Sequence, residues 1–466
     1  MKKATIFFTT VLMLFSYSGA ALANYSPLIS ELVLWEEDIE QFRELVFTKH
    51  AMFSGNHEGD ITYCDNERDN IDWRSRTYPD LEGLPRLDGR QKKADRINNM
   101  LDTLIVALPS LTADQIMDEL QRCLSVIGDN HSYAAKELTF SYPFRFLVTD
   151  DGYYCHDAAA EYEGLIYKKL ISINGYSIDE IECKFSIFGS YDNIYDMRQR
   201  LSKGLNMPEL LIALEIKNSP FDTDEYVFAD EENFNQVSVL PKDIILHDEP
   251  MIHHSLYERE AEQAYWVEYW GETGVLYVKV NSFCDDIQTN RSINFDLINF
   301  CNTSNVQKVV FDVRNNKGGM PDSLRLFALY LQNHSYLNEQ GRVFCLIDST
   351  SLSAATIFPY EMKQLMNITI VGTPTGSRMH CFTVSGTEEH ILKNSGYRIT
   401  LAPGMYKGTL AHEATFPDVY ISPAIDDLKS GVDPLVEYVK GPSYQCATKT
   451  IVSNRAGLSS SSALLD

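Results

Sequence analysis

Val309-Val310-Phe311-Asp312-Val313-Arg314-Asn315-Asn316-Lys317-Gly318-Gly319 runs from a short apolar stretch into a polar turn closed by paired glycines. An apolar run of this length, rich in β-branched residues and bounded by a turn, reads as a buried strand. The same grammar repeats on either side. Upstream, Val275 to Val280 is a strand candidate and Ile293 to Phe300 a helix candidate. Downstream come a helix from Ser323 to Leu331, a strand from Val343 to Ile347, a helix from Ala354 to Met366 and a strand from Ile368 to Val371. Alternating strands and helices with short connections predict an α/β region of βαβ units around a mainly parallel sheet. Chemistry in such sheets gathers at the carboxyl ends of the strands, so those ends are where functional residues are expected.

Two strand ends are unusual. In Asp312 to Gly319 the paired glycines let backbone N–H groups converge on an anion, although a tight turn is the plainer reading. In Asp348-Ser349-Thr350-Ser351-Leu352-Ser353-Ala354-Ala355-Thr356, serines precede a helix. A serine there ordinarily caps the helix, and the same position also presents a nucleophile beside free backbone donors.

Composition bounds the rest. The 466 residues carry 40 Lys+Arg against 65 Asp+Glu, a net charge of −25, which argues against nucleic acid as partner because such binding is driven by basic groups. With 44% hydrophobic residues the chain can bury a large core. Nine cysteines occur without a CxxC pair or regular spacing, so neither a structural zinc site nor a dense disulfide framework is supported. Lys2 and Lys3, an apolar run to about Phe15 and Ala21-Leu22-Ala23 read as a secretory signal cleaved before Asn24. Export to the periplasm or the extracellular space is the expectation, with no membrane span after cleavage.

The chain divides into a signal (1–23), a helical region (24–135), a mixed α+β region (136–246), the α/β region (247–440) and a tail (441–466). Within the helical region, Pro109 breaks the helix through Ile97 and Leu108, and Thr112 with Gln115 has capping-box spacing for a helix running to about Ile127. Gly55 to Arg90 is a polar excursion. In the mixed region Phe144 to Val148 and Lys169 to Ile173 read as strands, the latter ending in the turn Asn174-Gly175, and the acidic clusters Asp222 to Glu225 and Asp230 to Glu232 as solvated loops. His156, His253 and His254 read as structural or solvated.

Taken in order, Asp312 to Gly319, Asp348 to Thr356 and Val371-Gly372-Thr373-Pro374-Thr375-Gly376 resemble the catalytic domain of the tail-specific, or C-terminal-processing, serine peptidases. That family shows D-L-R-x-N-x-G-G, then S/T-x-S-A-A/S-E, then V-G-x-x-T-x-G, and the resemblance covers about Val275 to Tyr438. It implies a crotonase-like spiral catalytic domain, a peptide or unfolded protein as substrate, and no metal or organic cofactor. By this alignment Ser353 is the nucleophile, with Ser351 the runner-up. One branch uses a lysine about 25 residues after the serine; Arg378 stands there and cannot act as a base. The tricorn-like and interphotoreceptor retinoid-binding-protein-like branch carries a D-G-H-T motif after an N-terminal helix, and Gly128-Asp129-Asn130-His131-Ser132 matches it with His131 as base. The acid in tricorn-like members points to Glu413, with Asp418 and Asp129 as alternatives, while the adjacent His412 has no spaced partner for a metal. The resemblance further implies an oxyanion hole from Ala354 with Gly318 or Gly319, and Arg378 as a binder of a substrate carboxylate. Gly164 to Gly175 resembles the second half of a PDZ domain, with Lys168-Lys169 where G-D is expected. Asn130, Ser132, Thr356 and the segment after Glu413 depart from the family pattern, which keeps an inactive peptide- or ligand-binding protein as a rival reading, and an esterase is a second rival because the same triad serves esters.

Overall fold

The computed structural model describes residues 29–54, 89–136, 140–230, 234–243, 256–283, 286–379, 382–383, 388–405 and 413–441. The expected signal segment, nearly all of the excursion from Gly55, His253, His254, His412 and the tail beyond Gly441 lie outside them. The principal elements of the N-terminal region are α1 (Ile29–Lys49), α2 (Arg90–Ala107), α3 (Ala113–Ser125) and β1 (Tyr133–Ala135). The middle region contributes β2 (Phe144–Thr149), β3 (Gly152–Ala158), β4 (Lys169–Ile173), α4 (Ile178–Phe188), α5 (Ile194–Gly204), β5 (Asp224–Ala229) and β6 (Phe234–Val239). The C-terminal region runs β7 (Tyr265–Trp270), β8 (Val275–Val280), α6 (Ile287–Thr303), β9 (Lys308–Asp312), α7 (Arg325–Asn333), β10 (Val343–Ile347), α8 (Ala354–Leu365) and β11 (Ile368–Gly372). It ends with β12 (Glu388–Ile391), β13 (Arg398–Leu401), β14 (Val419–Tyr420) and α9 (Pro434–Lys440).

The expected parallel sheet is present. Its order is β7-β8-β9-β10-β11-β14, antiparallel between β7 and β8 and parallel from there on. Successive side chains of a strand point to opposite faces. Leu276, Val278 and Val280 therefore pack with Phe311, Phe327 and Phe358 under α6–α8, while Val275 and Tyr277 face Val310, Phe344, Leu435 and Val436. Burial on both faces is why these strands read as unbroken apolar runs. Helix α6 starts six residues before its expected Ile293. Asp286 caps it by accepting from Thr289 N–H at 2.7 Å, and the polar first turns hide the helical period.

The N-terminal helices share a core with a distant piece of chain. Ile39, Phe42, Leu101, Leu120 and Leu124 pack on Leu392, Ile399 and Leu401, and β1 pairs antiparallel with β13. The Thr112–Gln115 capping box opens α3 as expected. Thus the end of α3 is delivered to the C-terminal region. In the middle region the strand path β2-β3-β4-β5-β6 packs on α4 and α5. Asp224 corrects the reading of its cluster as solvated: it opens β5, is 1% exposed and pairs with the buried Lys217. Nothing in an acidic run announces a buried cation; here Lys217 on Oδ2 and Asn174 Nδ2, donating to Oδ1, make burial of the carboxylate tolerable. Cys123, Cys155, Cys301 and Cys345 are buried free thiols. Among the described residues no helix is long and apolar enough to cross a membrane.

Candidate active site

The turn between β10 and α8 is built around Ser353. Its φ of 52° and ψ of −120° lie where a residue with a Cβ is strained, and its side chain makes no capping hydrogen bond. A serine recruited as a cap has extended backbone and an occupied oxygen; Ser353 has neither, so its hydroxyl is presented at the helix N-terminus. Ser351, the runner-up, is fully buried, its Oγ donating to the Val313 carbonyl at 2.9 Å and accepting from Asp348 N–H at 3.2 Å. It is a structural serine.

Gly318 lies against Ser353. A Cβ there would stand 2.7 Å from Ser353 Cβ and 3.1 Å from its Oγ, and φ is +114°. At Gly319 a Cβ would strike the Phe283 carbonyl oxygen at 1.8 Å. The pair is therefore demanded by close approach and not by a plain turn. Gly318 N–H is spent on Asn316 Oδ1 at 2.7 Å, which removes it from the expected oxyanion donors. Gly319 N–H and Ala354 N–H have no acceptor among the described residues. Asn316, fully buried, also donates to the Val280 carbonyl at 2.8 Å and accepts Leu352 N–H at 2.9 Å. It pins the glycine loop to both β8 and the Ser353 turn.

His131 stands in the loop after α3, which turns at Gly128 with φ +71°. The loop is held by side chains from elsewhere. Asp192 Oδ1 accepts Asn130 N–H at 3.1 Å, and Arg200 donates to the Asn130 carbonyl at 3.1 Å. Asn130 Nδ2 donates to Ser377 Oγ at 3.1 Å, and the same oxygen accepts Ser353 N–H at 2.9 Å. One buried serine oxygen thus latches the histidine loop to the Ser353 turn. His131 Nε2 and Ser353 Oγ make no direct hydrogen bond; such contacts commonly close only with substrate bound.

The carboxylate at His131 belongs to Asp129. Asp129 is fully buried, its Oδ1 accepting His131 N–H at 2.9 Å and lying 3.3 Å from Nδ1, close enough for charge attraction but poorly aligned for a hydrogen bond. Ser132 Oγ donates to Oδ2 at 2.6 Å, and His50 Nε2 stands 3.3 Å from it. Burial alone would lower the His131 pKa, but the charges of Asp129 and Asp192 outweigh it and raise the value above that of an ordinary imidazole. Burial would likewise raise Asp129, and the two imidazoles hold it far below the usual carboxylate range.

Glu413 is not among the partners of His131. Its carbonyl accepts Asn193 Nδ2 at 2.8 Å, and its charge is felt by Tyr195. Asp418 is occupied by Lys363 and by Ile370 N–H. Arg378 gives its Nε to the Asp192 carbonyl at 2.7 Å and its backbone N–H to Asp192 Oδ2 at 3.2 Å, while its Nη2 is buried with no hydrogen-bond partner among the described residues. Sequence reasoning missed Asn316, Ser377, Asp192, Arg200 and His50. The first two stand in or beside the glycine-rich blocks, where a signal existed; the others carry none. Among the described residues no group of three or more His, Cys, Asp or Glu could hold a metal ion. A cavity of about 520 Å³ opens between β2, α5 and the strand ends, lined by Phe146, Tyr195, Arg198, Asn315, Thr350 and Tyr420.

Residues 330–402 match the family model described as Peptidase family S41. Among solved structures the chain is similar to mature CPAF, at 12% identity and a TM-score of 0.57, covering 87% of this chain and 96% of that one. It is similar to mature CPAF complexed with lactacystin at 11% identity and a TM-score of 0.56, covering 87% and 97%. A CPAF mutant gives 10% identity, a TM-score of 0.54 and coverage of 87% and 96%. These likenesses establish a shared mixed α/β fold. No curated protein matches the sequence.

Proposed function

We propose that the protein is an exported serine peptidase of the branch that uses a histidine base, acting on peptide or unfolded protein substrates. One observation carries the proposal: an uncommitted Ser353 hydroxyl on a strained turn, against Gly318, with the His131 loop latched to the same turn through Ser377. Ser353 Oγ attacks the peptide carbonyl and its proton passes to His131 Nε2, the ring nitrogen turned from Asp129. Ala354 N–H and Gly319 N–H stabilise the oxyanion. Collapse expels the amine, which takes the proton from His131, and water hydrolyses the acyl-enzyme by the reverse sequence. Asp129 orients the imidazole in the place the resemblance gave to Glu413. The scheme uses no metal or organic cofactor.

The test is fluorophosphonate labelling of the chain lacking residues 1–23, followed by a peptide library. Wild type is expected to be labelled at Ser353, Ser353→Ala not at all, and His131→Ala far more slowly. Absence of wild-type labelling would identify an inactive binding protein. Labelling with turnover of esters and of no peptide would identify an esterase.

A further inference from the structure

A second imidazole shares the carboxylate that faces the base. His50 follows α1, is fully buried, and takes Met52 N–H on Nδ1 at 3.1 Å. A ring nitrogen that accepts a backbone N–H carries no proton, so the hydrogen of neutral His50 sits on Nε2, 3.3 Å from Asp129 Oδ2. Ser132 Oγ donates to that same oxygen at 2.6 Å. Oδ2 thus collects two donors, and Oδ1 is left to His131. The donors are themselves fixed: Ala402 N–H donates to Ser132 Oγ at 2.9 Å, and Ala51 N–H to the Ala402 carbonyl at 2.9 Å. The His50 turn, Ser132 and the end of β13 form one hydrogen-bonded unit around the carboxylate.

We propose that His50 is a positioning residue for His131, acting through Asp129: it fixes which carboxylate oxygen faces the base. The idea rests on the reading of His131 as the base. A carboxyl group turns easily about its last torsion, and two donors on one oxygen remove that freedom. With the His50 donor gone, the charge on Asp129 is less stabilised and binds the imidazolium of His131 more strongly. The base is then both less well aimed and protonated to higher pH.

Two substitutions separate this role from a purely structural one. Asparagine keeps an acceptor near Nδ1 for Met52 N–H and loses the Nε2 donor; glutamine reaches the Nε2 position with an N–H. The rate of fluorophosphonate labelling of Ser353 is measured against pH for His50→Asn and His50→Gln. We expect His50→Asn to label about tenfold more slowly at neutral pH, with its pH midpoint raised, and His50→Gln to recover most of the rate. A His50→Asn profile matching wild type, or equal losses in both variants with no change of midpoint, would overturn the inference. Should both variants unfold, ¹⁵N shifts of wild-type His50 decide it: a proton on Nε2 supports the role and a proton on Nδ1 refutes it. If wild type fails to label, or labels as fast without His131, the reading of the base itself falls and takes this one with it; wild-type labelling that needs His131 but ignores His50 refutes only the positioning role.

Discussion

The Ser353 turn and the His131 loop meet at one oxygen, yet they are built by opposite means. Around Ser353 the backbone does most of the holding: Leu352 N–H reaches the Asn316 carbonyl at 2.9 Å and Gly376 N–H reaches the Ser351 carbonyl at 3.1 Å. Neighbouring strand ends of one sheet supply these partners, and glycines let them approach. The His131 loop instead hangs on side chains of Asp192, Arg200, His50 and Ser377, drawn from three regions of the chain. A strained turn in a sheet tolerates little sequence variation, whereas a loop tied by side chains can exchange its ties one at a time. That contrast fits the family model's match to residues 330–402, which hold the Ser353 turn and Ser377 but not Gly128 to Ser132.

Substitutions on the two sides probe that contrast. The largest effect is expected from Ser353→Ala, which should lower turnover at least about a thousandfold with thermal unfolding unchanged. Asp129→Asn should cost on the order of a thousandfold and move the pH midpoint of labelling down, since the imidazolium loses its carboxylate. Glu413→Gln is the control that sharpens it: a greater loss there than in Asp129→Asn would return the orienting role to Glu413. Gly318→Ala tests the backbone side alone. Its Cβ would collide with Ser353 at φ +114°, and we expect about a hundredfold loss together with about 1–3 kcal/mol of strain seen as a lower Tm. Ser377→Ala strips Ser353 N–H and Asn130 Nδ2 of their common acceptor and should cost about tenfold. A Ser377→Ala variant with wild-type rates would show that the two halves need no latch. The smallest effect is in the wild-type pH profile. As the proposed base His131 must be neutral to accept the proton, and its pKa is raised, so labelling should climb through a midpoint above about 6.5; a midpoint below that would mean burial outweighs the two carboxylates.

Much of the fold is legible in the sequence. The strands β8 and β10 begin and end where the apolar runs do, because a strand buried on both faces writes its length directly into composition. The start of α6 was not legible, since its first turns are solvated and a cap of Asp286 and Thr289 replaces the apolar period. Asp224 misled for a related reason: a charge is buried or exposed according to its partner, and Lys217 becomes a partner only in three dimensions.

The sequence by itself determined the α/β sheet and the two unusual strand ends, because these depend on residues adjacent in the chain, and its family resemblance pointed to Ser353 with Ser351 as the runner-up. Tertiary structure alone buried the Ser351 hydroxyl against Val313 while leaving Ser353 without a capping bond, engaged Gly318 N–H while leaving that of Gly319 without an acceptor among the described residues, braced Arg378 on Asp192 and set Asp129 rather than Glu413 beside His131. Each of those outcomes depends on which hydrogen-bonding groups from distant segments arrive at the same few ångströms. Local pattern carries no record of that; only the folded chain, in which every buried polar group must find a partner, makes the choice.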